Sequence, residues 1–364
     1  MNNNIFDYLD WRGDLGFDTN SFNEVDNLIL SVISYMDFSN IIPPEPTGMG
    51  ITLAEAEKRL AALDRDNQEL GLIIPDQTSD FVRRAAHTRR FSEILLYSYV
   101  DKIDAEVGIQ FSAITFGLPD KTLFIAFRGT DDTLVGWKEN FNMSFASPVP
   151  AQVSAVDYLV DTAMAKRGKI RLGGHSKGGN LAIWAAVNAP ARLQRRIIAA
   201  YNNDGPGFEN RITDLPEYKA ISERLYTFVP ESSVVGLLLE HTEEYQIVKS
   251  SQTAIWQHDP FSWEIKGTEF IKAAQLSNFS KHTDRALSKW IGSLSPEERR
   301  HATDVLFEVL ESTGAKTLSD INSGKLKNIS TIMKSFNNID RQTKDNLSKL
   351  VKQLFEFDRI FQWK

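Results

Sequence analysis

Residues 169–186 read KIRLGGHSKGGNLAIWAA. The run 169–173 has the character of a buried strand. Four glycines then crowd around one serine, and from 179 to 188 the chain reads as an apolar helix. A strand that stops at a glycine pair and restarts as a helix within a few residues is a sharp strand–turn–helix. Gly174-His175-Ser176-Lys177-Gly178 fits the Gly-x-Ser-x-Gly nucleophile elbow, which lifts a serine above the end of a sheet. A hydroxyl is a weak nucleophile at neutral pH, so the serine needs a base, a group that orients the base, and donors for the oxyanion. The helix starting at the serine directs its free amides toward developing negative charge, and the Lys177 N–H is one candidate oxyanion donor.

Outward from the elbow, strands alternate with helices. Upstream, GIQFSAITFGLPDKTLFIAFRGT (108–130) reads as a hairpin around Gly-Leu-Pro-Asp, and PAQVSAVDYLVDTAMAKRG (150–168) as a helix ending at Gly168. Downstream come strands at 196–202, 223–229 and 244–250, the last expected to close the series. This pattern predicts an α/β fold, a mostly parallel sheet flanked by helices, and the elbow motif makes the α/β-hydrolase fold the expected form of it. The N-terminal part reads as helices over 21–37, 52–70 and 78–100, with PPEPTGMG (43–50) as a linker and Ser21 with Glu24 as a capping box. From about residue 276 the β pattern stops. Ser295 and Pro296 open a helix, and apolar residues recur at helical spacing afterwards. The expected division is a hydrolase domain over 1–275 and a helical appendage over 276–364, docked on the outside of the sheet's helices or on a second chain.

With 364 residues, 42% of them hydrophobic, the chain can bury a large core. A net charge of −7 argues against a nucleic-acid partner. The absence of cysteine removes disulfides and thiolate chemistry. The first residues, MNNNIFDYLDWRGDLGF, show no cationic start and no apolar run of signal length, and no stretch has the apolar length of a membrane span. The expectation is a cytoplasmic protein, with peripheral contact to lipid and oligomeric state left open. No glycine-rich phosphate loop, zinc-type histidine pair or calcium loop occurs, so no cofactor is expected, and Asp131-Asp132 reads as a capped polar turn rather than a metal site.

A second stretch, TLFIAFRGTDDTLVGWKENFNMSF (122–145), is a strand running into Arg128-Gly129-Thr130, then a polar turn and spaced aromatics. Together, FRGT…W…NF and GHSKGG are similar to a motif pair of the fungal-type class 3 lipases. That resemblance implies that Thr130 supplies the second oxyanion donor. WRGDLGF, FNEVDNLILSVISYMDF, GHSKGGNLA, YNNDGPGF, FVPESSVVGLLLEH and QHDPFSW resemble the bacterial Mbeg-like family over nearly the whole chain. That family is predicted to consist of lipase-like α/β hydrolases, which implies a fold and a triad but little about substrate.

The six histidines sort by chain order, which in this fold runs serine, acid, histidine. His175 adjoins the serine and cannot swing back as its base. His87 precedes the sheet, and His282 and His301 lie in or near the appendage. His258, beyond the strand at 244–250, fits best, with His241 as the alternative. The acid lies between Ser176 and His258. Asp204, in the defined loop YNNDGPGF, is favoured, Glu231 is the alternative, and Asp214 and Glu240 are further candidates. Trp137, Phe141, Met143 and Phe145, with Val234, Val235, Leu237, Leu238 and Leu239, are placed to line an acyl pocket or to form ordinary core under two helices. The function expected is a serine esterase acting on an acyl or lipid ester through Ser176, His258 and Asp204. The alternatives are a thioesterase or peptidase with the same triad, and a non-catalytic binding module on the same fold.

Overall fold

The computed structural model describes residues 3–65, 75–208, 212–237, 239, 244–278, 280–281, 293–323 and 344. Among these, an eight-stranded sheet runs in chain order, from β1 (Ile51–Thr52), β2 (Leu95–Asp104), β3 (Ile109–Gly117) and β4 (Leu123–Phe127) to β5 (Ile170–His175), β6 (Ile197–Asn203), β7 (Leu225–Pro230) and β8 (Tyr245–Val248). Pairings from β1 to β4 are antiparallel and those from β4 to β8 parallel. Strand β4 is buried at every residue, and successive side chains alternate between two cores. Phe124 and Ala126 join the one that includes the N-terminal helices, while Ile125 and Phe127 join the other. This layered parallel arrangement, with the serine turn at a strand's carboxyl end, is the α/β-hydrolase fold.

The N-terminal helices are α1 (Ile5–Arg12), α2 (Glu24–Ile33), α3 (Leu53–Ala62) and α4 (Thr78–Ala86). Helix α2 is capped by Asn23 with Asp26, not by Ser21 with Glu24; the Asn23 side chain accepts from the Asp26 amide and Asp26 accepts from the Asn23 amide. The Asp26 carboxylate is fully buried, held by Arg90 at 2.7 and 2.6 Å and by the Tyr8 hydroxyl at 3.0 Å. The expected helix over 78–100 is a correction. It ends at Ala86, and Leu95–Asp104 is β2, paired with β3. A bulge between Tyr97 and Val100, with Ser98 at φ 54°, breaks the period-two alternation and hides the strand from a pattern reading. The chain also does not stop forming strands at 250, since β9 (Ile265–Lys266) and β10 (Glu269–Phe270) make a further hairpin.

Between β4 and β5 lie α5 (Leu134–Asn142) and α6 (Pro150–Ala165), and α7 (Lys177–Asn188) joins β5 to β6. The short α8 (Ala191–Gln194) and α9 (Pro216–Lys219) follow. Near the C-terminus, α10 (Pro296–Glu311) has the expected Ser295 cap and Pro296 start, and α11 (Leu318–Ser323) comes next. Phe307 of α10 and Ala315 pack with Leu134 of α5, so the C-terminal helices dock on the helix that follows Thr130. Among the described residues no helix is long and apolar enough to cross a membrane.

Candidate active site

Ser176 stands between β5 and α7 with φ 58° and ψ −136°, a conformation that residues with a side chain adopt at a cost. The surrounding contacts enforce it. The Ser176 amide donates to the Asn203 carbonyl at 2.9 Å, and the Gly179 amide donates to the Ser176 carbonyl at 2.9 Å. A β-carbon at Gly178 would lie 2.0 Å from the Phe127 carbonyl oxygen, so only glycine lets α7 pass this close to β4. The Asn203 side chain donates to the Gly174 carbonyl at 2.9 Å, and Asn27 of α2 donates to Asn203 at 2.8 Å. Thus α2 is tied to the elbow from the sheet's other face.

Asp204 follows β6 with φ 54° and is fully buried. Its amide donates to Phe228 of β7. One carboxylate oxygen, Oδ2, lies 2.6 Å from His258 Nδ1; the other, Oδ1, accepts from the Ser233 hydroxyl at 2.5 Å. A carboxylate accepting from Nδ1–H leaves Nε2 of a neutral imidazole with its lone pair free to accept a proton. His258 ends a 3-10 turn, Ala254–His258, beyond β8. Thr130, His175, Ser176 and His258 line one small cavity of about 10 Å³, walled by Val32, Tyr35, Pro75, Thr78 and Pro260. That is room for roughly one water molecule.

His175 is wired into the frame. Its Nε2 meets the His258 carbonyl at 2.8 Å, and a carbonyl can only accept, so Nε2 carries the proton. Nδ1 therefore accepts from the Tyr35 hydroxyl at 2.9 Å, and that oxygen in turn accepts from the Gly129 amide. Burial, reinforced by the neighbouring His258, holds the His175 pKa well below the usual histidine value, which keeps the ring neutral. Tyr35 and His175 thus link the Arg-Gly-Thr loop to the loop carrying His258. A β-carbon at Gly129 would sit 2.1 Å from the Tyr35 hydroxyl and 3.1 Å from Ser176 Cβ, which shows how closely that loop approaches the serine.

Thr130 is buried, and its hydroxyl accepts from Asn140 at 2.6 Å. Arg128 anchors the same loop, bonded to both oxygens of Asp101 and to Asp131. The Lys177 side chain points away from the cavity into the core. Its Nζ donates to the Gln110 carbonyl at 2.7 Å, to Gln110 Oε1 at 2.5 Å and to Glu139 at 3.0 Å. Burial pulls its pKa below the ordinary lysine value, while Glu139 acts in the opposite direction. Only the Lys177 backbone remains at the elbow.

Other sequence candidates lie elsewhere. Trp137 and Phe141 do not line the cavity and pack instead toward the C-terminal helices, Phe141 meeting Phe307 edge-on at 5.7 Å between ring centres. Leu237 is buried in a 3-10 turn, while Leu238, Glu240, His241 and His282 lie outside the described residues. Glu231 engages through its backbone, donating to Val248 and accepting from Ser277, and Asp214 is exposed. His87 and His301 are exposed. Asp131 is spent on Arg128 and Thr133, and Asp132 accepts from the Ser319 amide. Among the described residues no group of three or more potential metal ligands gathers. Sequence reasoning missed Tyr35 and Ser233. Tyr35 follows the apolar stripe of α2 and reads as core, and Ser233 is one of two unremarkable serines after β7.

The fold is that of the α/β-hydrolase class. The chain belongs to the Mbeg1-like family, whose family model matches residues 85–308. The match begins at the end of α4 and closes within α10, crossing the expected boundary at 275/276. Among solved structures, the chain is similar to M37 lipase in its crystal structure, with 15% identity over 60% of this chain and 70% of that one and a TM-score of 0.36. No curated protein matches the chain.

Proposed function

We propose that this protein is a serine hydrolase that cleaves a carboxylic ester of acyl or lipid type through an acyl-enzyme. The observation that carries the reading is the Asp204–His258 pair at 2.6 Å, with His258 and Ser176 on the wall of one cavity. In this mechanism His258 Nε2 takes the Ser176 proton as Oγ attacks the carbonyl carbon. Buried Asp204 holds the imidazole in the Nδ1–H tautomer and stabilises the imidazolium. The Thr130 and Lys177 amides hold the oxyanion. The imidazolium then protonates the departing alkoxide; His258 next deprotonates the water that attacks the acyl-enzyme, and returns that proton to Ser176 Oγ as the acid leaves. Val32, Pro75 and Pro260 offer the apolar wall along which an acyl chain approaches.

A panel of nitrophenyl esters of increasing acyl length tests the reading. Wild type should hydrolyse some members, Ser176→Ala should lose activity to background, and Asp204→Asn should lower kcat about 10⁴-fold by favouring the wrong tautomer. Wild-type activity retained in Ser176→Ala would refute the assignment. Turnover of thioesters or peptides but not esters would keep the triad and change the substrate class.

A further inference from the structure

The C-terminal helices dock where the oxyanion loop ends. Residues 128–132 carry no regular structure, and Arg128 on Asp101 fixes their inner end. Their outer end is held by the C-terminal segment. The Leu318 amide donates to the Asp132 carbonyl at 3.0 Å, and the Ser319 amide donates to Asp132 Oδ2 at 3.1 Å. The Leu134 amide donates to the Lys316 carbonyl at 2.9 Å, and Thr133 pairs with Thr317. Asp132 therefore caps the first turn of α11, whose leading amides have no partner within the helix. Two residues upstream stands Thr130.

A second grip lies across the cavity. The Ser277 amide donates to the Glu231 carbonyl at 2.6 Å, and the Ser280 hydroxyl donates to the Ser233 carbonyl at 2.6 Å. Ser233 is the residue whose hydroxyl holds Asp204 at 2.5 Å. The chain beyond the sheet thus holds both the loop after β4 and the loop after β7. The apolar contact of Phe307 with α5 docks α10, and the hydrogen bonds reach further, into the loops on either side of the serine.

We propose that Asp132 is a positioning residue, through which the C-terminal segment sets the Thr130 amide for the oxyanion. The proposal rests on the serine-hydrolase reading above. An oxyanion donor acts in the transition state and little in the ground state, so its displacement lowers kcat and leaves KM in place. Loss of a whole donor costs about 10²–10³ in kcat, so displacement of one should cost less.

The test uses the full-length protein, a soluble nitrophenyl ester that wild type turns over, and a boronic acid that forms a tetrahedral adduct with the serine. Asp132→Ala should lower kcat about ten- to hundredfold with KM within about twofold, and weaken the boronic acid in parallel. Asp132→Asn, which keeps an acceptor, should restore most of kcat. Ser319→Pro, which deletes one donor in a first turn that tolerates proline, should follow Asp132→Ala if the alanine variant does not fold. Lys138→Ala breaks the 2.9 Å pair with Asp304 away from the loop and should leave kcat unchanged. An active wild type with kcat unchanged in Asp132→Ala and Ser319→Pro would overturn the proposal alone, as would an equal loss in Lys138→Ala. An inactive, unreactive wild type would overturn the hydrolase reading and this proposal with it.

Discussion

His175 illustrates how the elbow's neighbours are used. Adjoining the serine in sequence, it cannot serve as the base, and both of its ring nitrogens are engaged, by Tyr35 and by the His258 carbonyl. Its depressed pKa has a thermodynamic consequence. Below about pH 6.5 an unfolded chain protonates this histidine while the folded chain does not. The unfolded state then binds more protons, so stability falls as pH drops from about 6.5 toward the depressed folded pKa, and above that window the contribution is constant. The melting temperature of wild type should therefore fall more steeply than that of His175→Gln across the pH unit just below 6.5. Parallel slopes would mean that His175 titrates normally. That Ser176, Asp204 and His258 gather at one end of the sheet was legible, because strand, turn and chain order constrain where such groups sit. Tyr35 and Ser233 were not, because their roles arise from contacts across 140 and 29 positions of sequence that no local pattern encodes.

Helix α7 presents a different balance of forces. Its first residue, Lys177, is buried with Glu139 of α5, and Glu139 also accepts from the Gln110 and Ala151 amides. Removing one partner of such a pair strands a charge in the core, at a cost of about 3–5 kcal/mol. Lys177→Met should lose roughly that much stability in urea unfolding, and adding Glu139→Gln should recover part of it. A loss below about 1 kcal/mol would mean that water reaches the pair. At this scale the alternation of strands and helices was readable, because buried parallel strands leave short apolar runs bounded by turns. The β2 strand was lost to its bulge, and β1, β9 and β10 were too short to leave a pattern. The aromatics of α5 were ambiguous by composition, since Trp137 and Phe141 suit an acyl pocket as well as the seam against α10 that they occupy.

In the whole molecule, the sheet's site is enclosed from three directions. Helix α2 and the turn after it bring Asn27 and Tyr35 to one side, the loop beyond β8 brings His258, and the C-terminal segment holds the loops on which Thr130 and Ser233 stand. Sequence separates an appendage at 276 because strand patterning ends there, and it carries no sign that the later residues bond to the loop after β4. We propose that this enclosure activates Ser176 as a nucleophile, which covalent labelling reads out. After incubation of the folded protein with a fluorophosphonate, peptide mapping by mass spectrometry should find one adduct, on the peptide containing Ser176. His258→Ala should label far more slowly, and Ser176→Ala not at all. Folded wild type that takes up no label, or an adduct that persists in Ser176→Ala, would mean that Ser176 is not an activated nucleophile.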